Sequence, residues 1–406
     1  MKSIPALTLL LCLLMMACSG PKQEQPNEII NIDVLKAFNT QKNVKLSEFI
    51  RDVEFIPLES TKDAWFRGSE NYLVGEKYVM ILAHERAQVL LFDRNGKFIR
   101  AIGFKGRGPH ELIEPRVATM DPAEEFVFIH DVGQSKLVKF SVDGTFINEA
   151  NISKTTPARY ITGMQFINEN EFVVANFRPW SPMEGFASLP VFDKNLNHVR
   201  DILPRANDEN LLFKVAPNDV LTVQPERTTF WEPYLDTLYT ITPAGAAIPT
   251  HVIGFSKGGP DHEFVTTNIN PNLYSKYSIV SIMDDGHYFH ILGMKDNDWF
   301  RALYNQKTKE IFEVVQKSTC DTTKYASRYG FENDLFGAGR MWLTYYSKKI
   351  DRFYMVFDIE TFADRNDLAC IRENVVKFPA LRDRFLEWAK DPEAKYQKLI
   401  VLMRAK

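Results

Sequence analysis

The residues of this 406-residue chain that could do chemistry are few, and one stretch holds the densest group. "DRNGKFIRAIGFKGRGPHE", Asp93 to Glu111, ends in a loop that brings three glycines together with Arg107, His110 and Glu111. A phosphate loop needs Gly-x-x-x-x-Gly-Lys-Ser/Thr between a strand and a helix, and a dinucleotide fingerprint needs three glycines that open a helix. Neither the Lys-Ser/Thr ending nor a helical pattern follows here. The glycines therefore read as a corner where backbone passes close to backbone. Arg107, within reach of Glu111 or of a neighbouring unit, joins His110 and Glu111 as candidates for a binding rim.

The other reactive residue types form no site in one dimension. His287 and His290 are the only close histidine pair, and in a strand positions three apart face opposite sides, so they cannot readily share a metal. His84 and His130 lie near the ends of strand-like runs expected to be innermost, with no third ligand recurring at that position. No metal and no cofactor is expected. No Gly-x-Ser-x-Gly elbow is present, and "DDG" at Asp284 to Gly286 reads as a hairpin turn. Cys320 and Cys370 could pair in an oxidising compartment or stay buried as thiols. Three further loops combine aromatics with charge: "NFRPWSPMEGF" with Arg178 and Trp180, "RTTFWEPY" with Arg227 and Trp231, and "SKGGPDHEFVTTNINPNLYSKY" with Asp261, His262, Glu263 and Tyr277. Loops on a rigid scaffold carry function, and aromatics beside arginine grip a sugar ring or a protein partner.

What positions these residues is a repeat. "FDRNGKFIRAI" from Phe92 recurs as "FSVDGTFINEA" from Phe140 and as "FDKNLNHVRDI" from Phe192. Degenerate copies follow from Tyr239, Tyr304 and Phe357. Each is preceded by a short apolar strand: "YVMILA", "FVFIHD", "FVVANF", "VLTVQ", "YFHIL" and "MWLTYY". Asn95-Gly96 and Asp143-Gly144 suit two-residue hairpin turns. Several strands repeating about every 45 to 65 residues indicate a propeller. The expected fold is all-β, a six-bladed β-propeller with hairpins at 78–103, 126–150, 172–203, 220–255, 288–316 and 341–376. A β-sandwich would not repeat one strand-plus-hairpin unit six times. "VEFIPLE" from Val53 and "KLIVLM" from Lys398 are expected to close the ring, and "FPALRDRFLEWAKDPEAKY" to form a short amphipathic helix over the closure.

The N-terminus speaks for export. "MKSIPALTLLLCLLMMACSG" has Lys2, an apolar run too short for a bilayer span, and a small residue before Cys18. Residues 1–17 read as a lipoprotein signal peptide, 18–42 as a lipidated Cys18 and flexible tether, and 43–406 as the propeller. Ser19, Gly20, Pro21 and Lys22 leave a periplasmic and a cell-surface position both open. A formal charge of -3, without a long run of Lys and Arg, excludes a nucleic-acid partner.

With "VEFIPLES", "FDRNGKFIRAIGFKGRGPHE" and "YLDTLYTITPAGAAIPTHVIGF", the chain resembles the six-bladed β-propeller lipoproteins of Bacteroidetes, relatives of the NHL-repeat propellers. The resemblance covers nearly the whole mature chain. In that family the corner ends Gly-Pro-Gly-Glu before an aromatic, whereas here it runs Gly108-Pro109-His110-Glu111-Leu112. His110 thus implies that a positive φ is not needed there or that the corner bends differently. The resemblance implies a fold and a compartment, and no activity. The expected function is a non-catalytic binding or scaffolding propeller for a protein or glycan partner at the outer membrane, held to the membrane by its lipid alone. The alternative is a lyase or hydrolase that uses the axial pocket.

Overall fold

A computed structural model describes residues 28–67, 71–152, 161–176, 189–202, 221–223, 228–231, 236–256, 277–296, 298–315, 320, 330–339, 341–343, 345–347, 349–391 and 398–406. Three strands precede the first blade: β1 Ile30–Asp33, β2 Gln41–Lys42 and β3 Ile50–Pro57. Blade one is β4 Tyr72–Val74, β5 Tyr78–Ala83, β6 Gln88–Asp93 and β7 Phe98–Ile102; blade two is β8 Pro115–Met120, β9 Phe126–Asp131, β10 Lys136–Ser141 and β11 Phe146–Asn151. Blade three is β12 Ile161–Phe166, β13 Glu171–Asn176, β14 Pro190–Asp193 and β15 His198–Asp201; blade four is β16 Leu221–Val223, β17 Thr228–Trp231, β18 Thr237–Ile241 and β19 Ala247–Gly254. Blade five is β20 Tyr277–Asp284, β21 Tyr288–Lys295, β22 Asp298–Asn305 and β23 Ile311–Val314, and blade six holds β24 Tyr345–Ser347, β25 Arg352–Asp358 and β26 Lys398–Ala405.

These are six separate antiparallel meanders, so the chain is a six-bladed propeller. The tight turns explain why the repeat folds as it does. In the first copy Asp93 Oδ1 accepts from the backbone N–H of Asn95 and Lys97, and Gly96 takes φ +84°. In the third copy Asp193 does the same for Asn195 and Asn197, while Leu196 stands at φ +68° where the first copy has glycine. The aspartate therefore carries the turn. Glycine at position 96 answers a different need: a Cβ there would lie 2.0 Å from the Pro57 carbonyl of the neighbouring blade.

Alternate residues of one strand go to opposite sides of the sheet, and in a propeller both sides are covered. Val79 and Ile81 of β5 pack towards blade six, with Ile400 and Leu402. Met80 and Leu82 pack towards blade two, with Val127 and Ile129. The same division continues around the ring through Phe128 and Phe172, then Ala175 and Phe230, then Trp231 and Phe289, then Leu303 and Phe353. The core is thus six interblade seams rather than one centre.

Ring closure follows the expected route. β26 pairs antiparallel with β25 on one side and with β3 on the other, so an N-terminal strand forms the outer edge of blade six. Three expectations are corrected. First, the runs at Tyr78, Phe126, Phe172 and Tyr288 are second strands; β4, β8, β12 and β20 respectively lie inside them in the sheet order. Second, the copy from Phe357 is not a hairpin, because Asp358 accepts from the Thr361 N–H and caps a helix, Ile359–Arg365. Two more helices, Leu368–Glu373 and Pro379–Lys390, fill the span to β26, and the last buries Phe385 and Leu386 against Phe55 and Phe336. Third, the expected tether to residue 42 is ordered from Ile30: β1 lies parallel on β19 and β2 parallel on β23, as fifth strands of blades four and five. Between them Val34 and Ala37 are fully buried, which fixes this belt to the seam of those blades.

Candidate functional site

Each blade has two ends. The turns β4–β5 and β6–β7 mark the hairpin face, and the β5–β6 turn with the crossing to the next blade marks the corner face. On the corner face of blade one, Arg86 acts as a bracket. Its Nη1 donates to the carbonyls of Asp63 and Trp65, and its Nε donates to Gln88 Oε1; Gln88 Nε2 in turn donates to the Gly103 carbonyl. The Arg67 N–H donates to Glu85 Oε1 at 2.6 Å, and Lys105 Nζ to the Glu85 carbonyl.

This bracket fixes two loops and points two aromatic rings outwards. Ala64 and Phe66 are buried in the seam with blade six, while Trp65 between them keeps 44% exposure. The Arg67 guanidinium lies 5.7 Å from the Trp65 ring centroid. Phe104, in the corner, is 66% exposed although the Leu112 N–H bonds its carbonyl. A fixed loop with an exposed ring loses little conformational entropy on binding, which is what makes such residues effective anchors. Neither Trp65 nor Phe104 stood out in the sequence.

The corner itself is built around one carboxylate. Glu111 Oε2 accepts from the Gly108 N–H at 2.6 Å, and a Cβ on Gly106 would fall 1.9 Å from that same oxygen. The glycines make room for Glu111, which therefore closes the loop from within. Arg107 does not pair with it; the side chain is exposed and makes no ion pair among the described residues. His110 takes φ +66°, so this corner does use a positive φ although no glycine stands there. Its ring lies 3.5 Å from that of Phe146 in blade two, a contact that holds the histidine in that backbone state.

Of the other rim candidates, Trp231 is corrected. It is 1% exposed, packed with Leu238 and Phe289 in the seam of blades four and five, and so is no part of a rim. Tyr277 likewise stacks between Phe38 and Phe255 instead of joining a lid. Arg178, Trp180, Arg227, Asp261, His262 and Glu263 lie outside the described residues, as does Cys18.

The histidines have structural explanations. His84 Nδ1 bonds the Pro115 carbonyl at 2.8 Å, tying blade one to blade two. His130 does not face the axis: it pairs with Val117 and Leu137 across blade two, fully buried, and neither ring nitrogen has a hydrogen-bond partner. Burial pushes its pKa down to about 4, against the opposing charge of Asp131, so the ring is neutral. His290 Nε2 meets Asp285 Oδ2 at 2.7 Å, among the rings of Phe49, Phe331 and Phe353. Asp285 Oδ1 also accepts from the His287 and Tyr288 N–H groups, so this pair secures the turn at Asp284 to Gly286. Although burial opposes it, the His290 charge and these hydrogen bonds hold the Asp285 carboxyl below its usual range. Among the described residues, no three His, Cys, Asp or Glu side chains are placed to hold a metal ion.

On the hairpin face blades one, two and six are tied together at one carboxylate. The buried Glu124 carboxylate, from the β8–β9 turn, accepts from the N–H groups of Glu76, Lys77 and Tyr78 at 2.7, 2.9 and 3.0 Å. Lys349 of blade six reaches the same carboxylate at 2.9 Å. Three blades thus share one anion, and Gly75 is small because a Cβ would come within 2.5 Å of it.

A family model described as "Domain of unknown function (DUF4934)" matches residues 29–397. No curated protein matches the sequence. Among solved structures, a protein of Bacteroides fragilis inferred to be exported is similar at a TM-score of 0.65 and 16% identity, over 93% of this chain and 99% of its own. A member of the DUF4221 family from Bacteroides vulgatus follows at a TM-score of 0.52 and 10% identity, over 88% and 97%. Virginiamycin B lyase of Staphylococcus aureus, at 12% identity over 68% and 76% with a TM-score of 0.40, is too distant to bear on chemistry. The first two likenesses concern the fold alone.

Proposed function

Because this chain belongs to the DUF4934 family, within an all-β propeller architecture, we propose that it is an exported, lipid-anchored and non-catalytic binding propeller of the NHL-like kind. Its partner is a protein or glycan at the outer membrane. The observation that carries this reading is the bracketed pair of exposed rings, Trp65 and Phe104, with Arg67, Lys105 and Arg107 around them. Rigid aromatics with cations at the edge form the usual anchor set of a recognition surface.

Export is supported by the Cys320–Cys370 disulfide, which joins the crossing between blades five and six to the helix Leu368–Glu373. Such bonds belong to oxidising compartments. Among the described residues no helix is long and apolar enough to cross a membrane. In this reading Cys18 carries the attachment.

The test is a cross-linked pull-down of the intact lipoprotein from membranes of its own organism, alongside retention on immobilised cell-surface polysaccharide. Wild type is compared with a Trp65→Ala/Phe104→Ala double variant and with Cys18→Ala. A partner or polysaccharide retained by wild type and lost in the double variant supports the rim. Equal retention by both would sink it, and depolymerisation of the polysaccharide by purified protein would establish the enzyme alternative instead.

A further inference from the structure

The belt formed by β1 and β2 does more than lengthen two sheets, because it decides where the tether leaves the ring. β1 is parallel to β19, in register from Ile30↔His251 to Asp33↔Gly254. β19 begins just after a turn on the hairpin face and ends at Gly254, where the chain crosses to blade five on the corner face. The chain therefore enters the belt from the hairpin side, at the outer edge of blade four.

Blade four stands three places from blade one whichever way the ring is followed, since the seams run one-two, two-three, three-four, four-five, five-six and six-one. Strands lie about 4.8 Å apart in a sheet. Blade four with β1 has five strands and blade one has four. The radial extents alone therefore separate the two outer edges by about 33 Å, before the central channel is counted. Twelve residues run from Cys18 to Ile29. A stretch of that many residues reaches at most about 40 Å.

We infer that the belt holds the anchored molecule with the hairpin side of blade four nearest the bilayer, so that the Trp65–Phe104 rim faces away from the membrane. This rests on the reading of Cys18 as the lipid anchor. Laying the corner face on the bilayer would require the tether to reverse direction at Ile30 and cross the disc edge. The rim is thereby directed to a partner that stands off the membrane surface, and not to lipid.

The experiment uses full-length lipidated protein in phosphatidylcholine vesicles that contain a headgroup spin-labelled lipid. One fluorophore is placed at Ala244→Cys, in the blade-four turn of the hairpin face, or at Arg67→Cys, beside Trp65. Cys320 and Cys370 are bonded to each other and do not compete for the label. The expected result is that the label at position 244 is quenched at least three-fold more than the label at position 67. Equal quenching, or stronger quenching at position 67, overturns the orientation while leaving the anchor intact. Flotation is scored separately: if wild type does not float with the vesicles, or Cys18→Ala floats equally well, the anchor reading fails and takes the orientation with it.

Discussion

His130 should make this propeller acid-labile in a way that one substitution removes. Its ring is fully buried with both nitrogens unpartnered, and its pKa falls from 6.5 to about 4. A folded-state pKa below the unfolded value means that the unfolded chain binds the proton first, so stability falls as pH drops through 6.5 and levels off below about 4. The full shift corresponds to ~3 kcal/mol, of which ~2 kcal/mol is lost between pH 7 and pH 5. Because the imidazole is wholly buried, no solvent screening reduces this figure. His130→Leu keeps an apolar group of similar bulk and has nothing to protonate. Guanidinium midpoints measured for both proteins at pH 7, 6 and 5 should therefore diverge, wild type losing ~2 kcal/mol more than the variant. Parallel pH profiles would refute the reasoning, since they would mean that His130 has a proton-accepting partner or reaches water when folded.

Other perturbations test other parts. Glu124→Ala strands three backbone N–H groups and Lys349, and should cost ~3 kcal/mol by the same unfolding measurement. The charge-neutral Glu124→Gln should cost less. Reduction of Cys320–Cys370, or Cys320→Ser, opens a loop spanning a sequence separation of 50 and should lower stability by up to ~4 kcal/mol on the chain-entropy estimate; thermal melts with and without reductant will show it. Once a partner is in hand, Trp65→Ala should weaken binding by ~30-fold, the worth of a ~2 kcal/mol anchor. Its unfolding midpoint should barely change, because the ring is exposed. Gly96→Ala should destabilise clearly, since the added methyl meets the Pro57 carbonyl.

Much of the architecture was legible because its signals are local. Asp93 and Gly96 specify a turn within five residues, and the unbroken apolar run "YVMILA" announces a strand buried on both sides. The belt was not legible. Ile30–Asp33 and Gln41–Lys42 are too short to show a period, and their partners lie more than 200 residues away. Of the three helices after Asp358 among the described residues, Pro379–Lys390 was legible as an amphipathic stretch. Ile359–Arg365 and Leu368–Glu373 were hidden by an aromatic-led start like that of the hairpins, which the Asp358 cap overrides. At the rim, the glycine corner was visible but its occupant was not: only the fold shows Glu111 filling the space that Gly106 and Gly108 leave. Trp65 looked like any aromatic in a loop, because its exposure is set by Arg86, which lies 21 residues further on. Trp231 misled for the opposite reason, since a loop-like neighbourhood of prolines and charges surrounds a strand end in the seam.

The belt also imposes an order in time. β1, β2 and β3 are the first of the described strands to leave the ribosome, yet their partners β19, β23 and β26 end at Gly254, Val314 and Ala405. During synthesis β1 and β2 stay unpaired until residues 254 and 314 have been made, and β3 until almost the last residue. Long-range pairing of this kind is slow and leaves edges exposed to other chains. A chain shortened by even its final strand would lack the clasp that joins beginning to end, because β26 is the strand on which β3 closes the ring.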